Sequence, residues 1–189
     1  MGLAGLTTER LTEAGAALSD EIGFERATLS ELARRFDVKV ASHYSHVRSS
    51  EDLRTRVALL ALEEMADRGD TALAGRASKD ALSALGNVYR DYAREHPGRY
   101  DAAQMRLDPQ TAASSAGPRH SQMMRAILRG YDLTEADQTH AVRLLGSVFN
   151  GYVGLERGGG FSHSTPDAQQ SWDRILDSLD TLLKSWPAP

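Results

Sequence analysis

The sequence predicts an all-α fold, and three observations carry that prediction. Apolar residues recur three and four positions apart along almost the whole chain, while runs of alternating apolar and polar residues are absent. Capping residues stand just ahead of several periodic segments, as Thr28 does with Glu31 and Thr134 with Asp137. The 189-residue chain is long enough to bury a core, and it has no cysteine, which excludes a disulfide framework, a thiolate zinc site and a cysteine nucleophile.

The elements follow in order. Leu11, Ala14, Leu18 and Ile22 share one face of a first helix, which Gly23 ends as a C-terminal cap. Thr28 with Glu31 opens a second helix, whose Leu29, Leu32, Ala33 and Phe36 face inward. Asp37 stands at a turn, where a positive φ is often needed and Asp is tolerated. A short third helix is expected from about Lys39 to His46, anchored by Val38, Val40 and Val47. Ser49 caps a fourth helix, and Glu51 and Asp52 suit the positive end of its dipole. Its inner face is Leu53, Val57, Leu60 and Met65, and it is expected to reach about Arg68 before the glycines of the Gly69–Gly75 region.

A fifth helix carries Leu82, Leu85, Tyr89 and Tyr92 and is halted at His96 by Pro97. A short sixth is expected from about Gly98 to Leu107, and Asp108 to Pro118 reads as a loop by composition. A seventh holds Met123, Met124, Ile127 and Leu128 up to Gly130. An eighth, capped by Thr134, holds Val142, Leu145, Phe149, Tyr152, Val153 and Leu155, too many apolar residues for one thin stripe. Arg157 to Pro166, with three successive glycines, reads as a flexible connection. The last helix presents Trp172, Ile175, Leu176, Leu179, Leu182, Leu183 and Trp186 as a wide apolar band.

The segment from Thr28 to Leu53 carries the chemistry. Its third helix offers Lys39, Ser42, His43, Tyr44 and His46, all able to donate hydrogen bonds. A short polar helix supported by an apolar one is suited to enter the major groove of DNA. The net charge of −4 does not favour a nucleic-acid partner, but the distribution of charge matters more than its sum. From Arg34 to Arg56, the basic Arg34, Arg35, Lys39, Arg48, Arg54 and Arg56 outnumber Asp37, Glu51 and Asp52, whereas acidic residues dominate upstream. On charge alone the same pattern also suits an ordinary solvated face.

Ala14, Leu18, Gly23, Thr28-Leu29, Leu32-Ala33, Val38, Ser42, Tyr44, His46 and Leu53 together resemble the DNA-binding domain of the TetR family of bacterial transcriptional regulators, over roughly residues 7 to 56. The remainder, with the phrases HPGRY, LRGY and GGF, is similar to the family's all-helical C-terminal domain, in the WHG-type subgroup common in actinobacterial regulators. The resemblance implies a three-helix DNA-binding head with a helix-turn-helix at 1–56 and a helical ligand-binding and dimerisation domain at 57–189. It also implies a homodimeric repressor that binds a palindromic operator, with a small-molecule effector shifting the two heads. Carried over by position, Lys39, Val40, Ala41 and Ser42 touch base edges, and Thr28, Tyr44, His46 and Arg48 touch phosphates. Physical chemistry agrees with both roles. Lys39 can donate to guanine O6 and N7, Ser42 to several base edges, and Ala41 permits close approach to a thymine methyl. Tyr44 and His46 can donate to phosphate oxygens and set register.

The chain departs from the family at three places. Asp37 replaces the usual turn glycine, His43 a usual apolar residue, and Ser50 a frequent lysine at the start of the fourth helix. Loss of that lysine removes one phosphate contact, for which Arg48 or Arg54 can substitute.

Outside the head, Tyr89, Tyr92, Met105, Met123, Met124, Phe149 and Tyr152 form a group that is either plain core or the wall of an apolar ligand cavity. Trp172, Ile175, Leu176, Leu179, Leu182 and Leu183 are expected in an isologous four-helix dimer interface, the alternative being packing within one subunit. His43 and His46 lack a third metal ligand. The triple glycine follows a helix and lacks the lysine of a P-loop. No catalytic constellation stands out, so no metal, cofactor or enzymatic activity is expected. Neither a signal peptide nor an apolar stretch of about eighteen residues is visible, and a cytoplasmic location is expected. The rival reading is a helical binding protein or enzyme whose N-terminal head has lost specific DNA binding.

Overall fold

Side-chain oxygens at the helix starts set much of the architecture. In the computed structural model, which describes residues 7–36 and 47–186, all regular structure is helical. The helices are α1 (Thr8–Ile22), α2 (Leu29–Phe36), α3 (Ser50–Leu73), α4 (Ser78–Glu95), α5 (Pro97–Ala103), α6 (Pro109–Ser114), α7 (Gly117–Leu128), α8 (Glu135–Arg157) and α9 (Ala168–Lys184). A single 3-10 turn, Phe24–Arg26, joins α1 to α2.

Thr7 caps α1, Asp108 caps α6, Thr134 caps α8 and Asp167 caps α9, each accepting a backbone N–H of the first turn. Gly23 ends α1 with φ of 95°, and its N–H donates to Ser19 O at 2.9 Å. The expected turn at Asp37 and the helix from Lys39 to His46 lie outside the described residues.

The chain packs as two units. The first takes residues 1–64 and 92–116, and the second takes residues 65–91 and 117–189. In the first, Leu11, Leu18, Phe24, Leu29, Leu32, Val47, Leu53 and Val57 form a buried cluster. Its α5 presses so closely on α1 that a Cβ on Gly98 would fall 2.0 Å from Ser19 O. In the second, Leu82, Leu85, Leu145, Phe149, Trp172 and Leu176 are buried among α4, α8 and α9.

Two expectations need correction. The fourth helix of the sequence, α3, does not stop near Arg68 but continues to Leu73. Gly69 stays helical because its missing side chain makes room for Met123, whose sulfur would lie 2.5 Å from a Cβ there. Asp108 to Pro118 is not a loop. Asp108 Oδ1 accepts the N–H groups of Gln110 and Thr111, both at 3.1 Å, with Pro109 at the first helical position, so α6 forms. The triple glycine is a hydrogen-bonded turn, with Gly158 N–H on Gly154 O at 3.0 Å and Gly160 N–H on Leu155 O at 2.8 Å.

Candidate functional site

The helices that precede and follow residues 37–46 in the chain are fixed at their starts by three hydroxyls. Thr28 Oγ1 accepts Glu31 N–H at 3.2 Å, giving half of the expected capping box. The Glu31 carboxylate does not complete it but turns to Arg34. Ser50 Oγ accepts Leu29 N–H at 3.1 Å, so the start of α3 also caps the start of α2. That contact explains one departure from the family pattern: where a lysine would reach outward, this chain uses the position to lock two helices together. Ser49 Oγ accepts Asp52 N–H at 3.1 Å, and Asp52 Oδ2 accepts Arg48 N–H at 2.9 Å. The Arg48 side chain is exposed beyond this cap.

Much of the local positive charge is committed. Arg34 pairs with Glu31, Arg35 with Glu21, and Arg56 with Asp52 at 2.9 Å. Arg54 Nη2 donates to Glu25 O at 2.9 Å and lies 3.7 Å from the Glu25 carboxylate. Arg54 is therefore tied back to the protein, whereas Arg48 is exposed. Lys39, Val40, Ala41, Ser42, Tyr44 and His46, with Asp37 and His43, lie outside the described residues.

The proposed ligand group falls in both units. Tyr89, Met123, Met124, Phe149 and Tyr152 belong to the second and are buried. The Tyr89 ring lies 5.9 Å from Phe149, which lies 5.8 Å from Trp172. Tyr89 Oη is 2.9 Å from His120 Nδ1, a buried polar pair inside this aromatic cluster. Tyr152 donates its hydroxyl to Ala168 O. Tyr92 and Met105 belong to the first unit, where Tyr92 donates to Glu64 at 2.6 Å and Met105 packs on the core cluster.

The apolar band on α9 splits in two. Trp172, Leu176, Leu179 and Leu183 are buried, with Trp172 and Leu176 close to Gly86 of α4 and Trp172 beside Phe149 of α8. Leu182 is 40% exposed and Ile175 is half-buried, and Leu155 on α8 is 59% exposed. Val148, Gly151, Leu155, Phe161, Pro166 and Ile175 line an open apolar groove of about 450 Å³ on this outer side.

Two ion clusters are not legible in the sequence, because charged residues far apart along the chain look like solvated surface. Arg90, 2% exposed, makes a bidentate pair with Glu156 at 2.9 and 2.6 Å and donates to Gln169 at 2.7 Å. Its guanidinium lies 5.4 Å from the Trp172 ring, and the hydrogen bonds to Glu156 raise its already high pKa. Asp20, Glu64, Tyr92 and Arg99 make the second cluster, in the first unit. Among the described residues no group of three potential ligands could hold a metal ion, and no helix is long and apolar enough to cross a membrane.

Comparison with known proteins supplies the family. A family model described as "Tetracyclin repressor-like, C-terminal domain" matches residues 82–179. An uncharacterised HTH-type transcriptional regulator of Mycobacterium tuberculosis is 32% identical over 94% of this chain and 76% of its own length. Two solved structures share the fold. The TetR-family regulator PfmR of Thermus thermophilus has a TM-score of 0.68 at 22% identity, covering 98% of this chain and 100% of its own. TetR-Q116A of Acinetobacter baumannii, solved with minocycline, has a TM-score of 0.71 at 17% identity, again covering 98% and 100%. The chain belongs to the TetR family of transcriptional regulators.

Proposed function

We propose that this regulator is a ligand-responsive repressor that binds a partly palindromic operator as a homodimer in the cytoplasm. The observation that carries the reading is the segment from Thr28 to Leu53. Its residue pattern resembles a reading head, and hydroxyls of Thr28, Ser49 and Ser50 fix the two helix starts within it. In this reading residues 1–56 are the DNA-binding head. Lys39, Val40, Ala41 and Ser42 contact base edges, and Thr28, Tyr44, His46 and Arg48 hold phosphates.

Residues 57–189 then bind the effector and the second subunit. The outward side of α8 and α9, with Leu155, Ile175 and Leu182, is the proposed contact between copies. The buried Trp172, Leu176, Leu179 and Leu183 support that face from beneath. Tyr89, Met123, Met124, Phe149 and Tyr152 are proposed as the wall of an effector site, with the Tyr89–His120 pair as its polar anchor. The A. baumannii relative of the same fold holds minocycline, which favours a small organic effector here. An effector releases DNA only by binding more tightly to a state whose two heads no longer match the groove spacing.

A mobility-shift assay across genomic fragments at low salt tests this reading. One or more fragments should be retained specifically, with log K falling by about 0.9 per decade of salt for each phosphate neutralised. Retention of no specific fragment at any salt would sink the repressor reading and favour a binding protein or enzyme whose head has lost DNA.

A further inference from the structure

Three helices of the first unit meet at one guanidinium, and a fourth joins them through Glu64. Arg99 on α5 donates its backbone N–H to Asp20 Oδ1 at 2.9 Å, and its Nε lies 3.0 Å from Asp20 Oδ2, in the last turns of α1. Its Nη1 donates to both oxygens of Glu64 on α3, at 3.0 and 3.2 Å. Tyr92 on α4, fully buried, donates its hydroxyl to Glu64 Oε2 at 2.6 Å. His96 Nδ1 lies 3.3 Å from Asp20 Oδ2 on the other side. Burial of Tyr92 and its contact with the Glu64 carboxylate push its pKa well above the usual phenol range, so it stays a donor.

The placement of these groups along the chain is as informative as their contacts. Glu64 is the last residue of α3 in this unit, and Tyr92 is the first residue of α4 in it. The Tyr92–Glu64 hydrogen bond therefore joins the two points at which those helices enter the unit, and Arg99 carries that junction to α1. Half-buried ion pairs of this kind add little net stability over apolar packing, but a planar guanidinium held between two carboxylates fixes direction.

We propose that Arg99 is a positioning residue: with Asp20, Glu64 and Tyr92 it sets the stance of the reading head, and so the half-site spacing that the dimer accepts. The inference rests on the operator-binding homodimer proposed above. A movement of α3 or α4 reaches α1 through this clamp, and loosening the clamp should widen the range of head positions.

The test uses the full-length protein and a genomic fragment that it retains. The fragment is compared with versions whose centre is lengthened or shortened by one base pair, which turns one half-site by about a tenth of a helical turn. Wild type, Arg99→Gln, Arg99→Lys and Tyr92→Phe are titrated on all three. The wild type should discriminate sharply between spacings. Arg99→Gln and Tyr92→Phe should compress that discrimination by about fivefold or more. Arg99→Lys, which keeps the charge without the fork, should fall between. Tyr92→Phe keeps the buried ring and serves if Arg99→Gln fails to fold. Tyr131→Phe, which removes a buried hydroxyl from the second unit, should leave the discrimination unchanged. Equal loss of affinity on every spacing, with discrimination intact, would overturn the positioning role while leaving the repressor reading standing. If the wild type retains no fragment, both fall.

Discussion

Gly98→Ala tests how tightly α5 is seated on α1. The added Cβ would lie 2.0 Å from Ser19 O, 2.1 Å from Ser19 C and 2.6 Å from Asp20 N, all backbone atoms. Reaching ordinary van der Waals distance requires a retreat of roughly 1.5 Å. Ser19 O cannot easily yield, because it already accepts Gly23 N–H at 2.9 Å, and the Asp20 carboxylate holds Arg99 N–H at 2.9 Å. Overpacking of this kind costs about 1–3 kcal/mol. Stretching the Asp20–Arg99 hydrogen bond adds about 1 kcal/mol. Alanine's better helix propensity returns up to about 1 kcal/mol. The net expected loss is therefore about 2 kcal/mol, read as a urea midpoint lower by about 1 M for a slope near 2 kcal/mol/M. Gly146→Ala is the control, since a Cβ there meets nothing within 4 Å, and it should leave the midpoint level or slightly raised. An unchanged midpoint for Gly98→Ala would refute the close seating of α5 on α1.

Arg90→Ala should cost about 3–5 kcal/mol in urea unfolding, because it strands the largely buried Glu156 carboxylate without its bidentate partner. The double substitution Arg90→Met with Glu156→Leu should recover most of that loss, and no recovery would show that the pair itself is strongly stabilising. Asp180 gives a pH signature. Burial raises its carboxyl pKa, but hydrogen bonds from Lys184 and Tyr131 outweigh this and hold it below 3.8. Its contribution is therefore present above about pH 4 and lost as pH falls through the lower folded value. Thermal midpoints of wild type and Asp180→Asn should differ most near neutrality and converge in acid; a gap that widens in acid would reverse the sign. Leu155→Asp with Leu182→Asp should yield folded monomers by sedimentation, and an undiminished dimer would move the contact away from the outer side of α8 and α9.

What the sequence reveals and what it hides follow from how local each determinant is. Thr28, Ser49 and Thr134 announce helix starts because a cap bonds within three residues of itself. Gly23 announces a helix end for the same reason. The length of α3 is hidden, because what keeps Gly69 helical is Met123 from another helix. The Asp108-Pro109 pair reads as a turn by composition but works as cap and first residue of α6, and nothing local separates the two uses. On α9 the period shows that one side is apolar without showing what covers it. Trp172, Leu176, Leu179 and Leu183 turn inward, while Leu182 stays at the surface. Ser50 departs from the family pattern, and its role appears only when α2 is seen to begin beside it. The clamp of Asp20, Glu64 and Arg99 joins residue types that read as solvated surface wherever their partners are remote in sequence.

The central claim is that this regulator reads DNA with the segment around Lys39. Selection of bound sequences from a pool of randomised duplexes, by wild type and by Lys39→Ala in parallel, tests it most directly. The wild type should enrich an inverted repeat whose half-sites are centred about one helical turn apart or a multiple of it. Lys39→Ala should enrich a repeat of the same spacing with relaxed preference at one base of each half-site, at about 1–3 kcal/mol of lost discrimination. Enrichment of an identical sequence by both proteins, or of no sequence by the wild type, would contradict it.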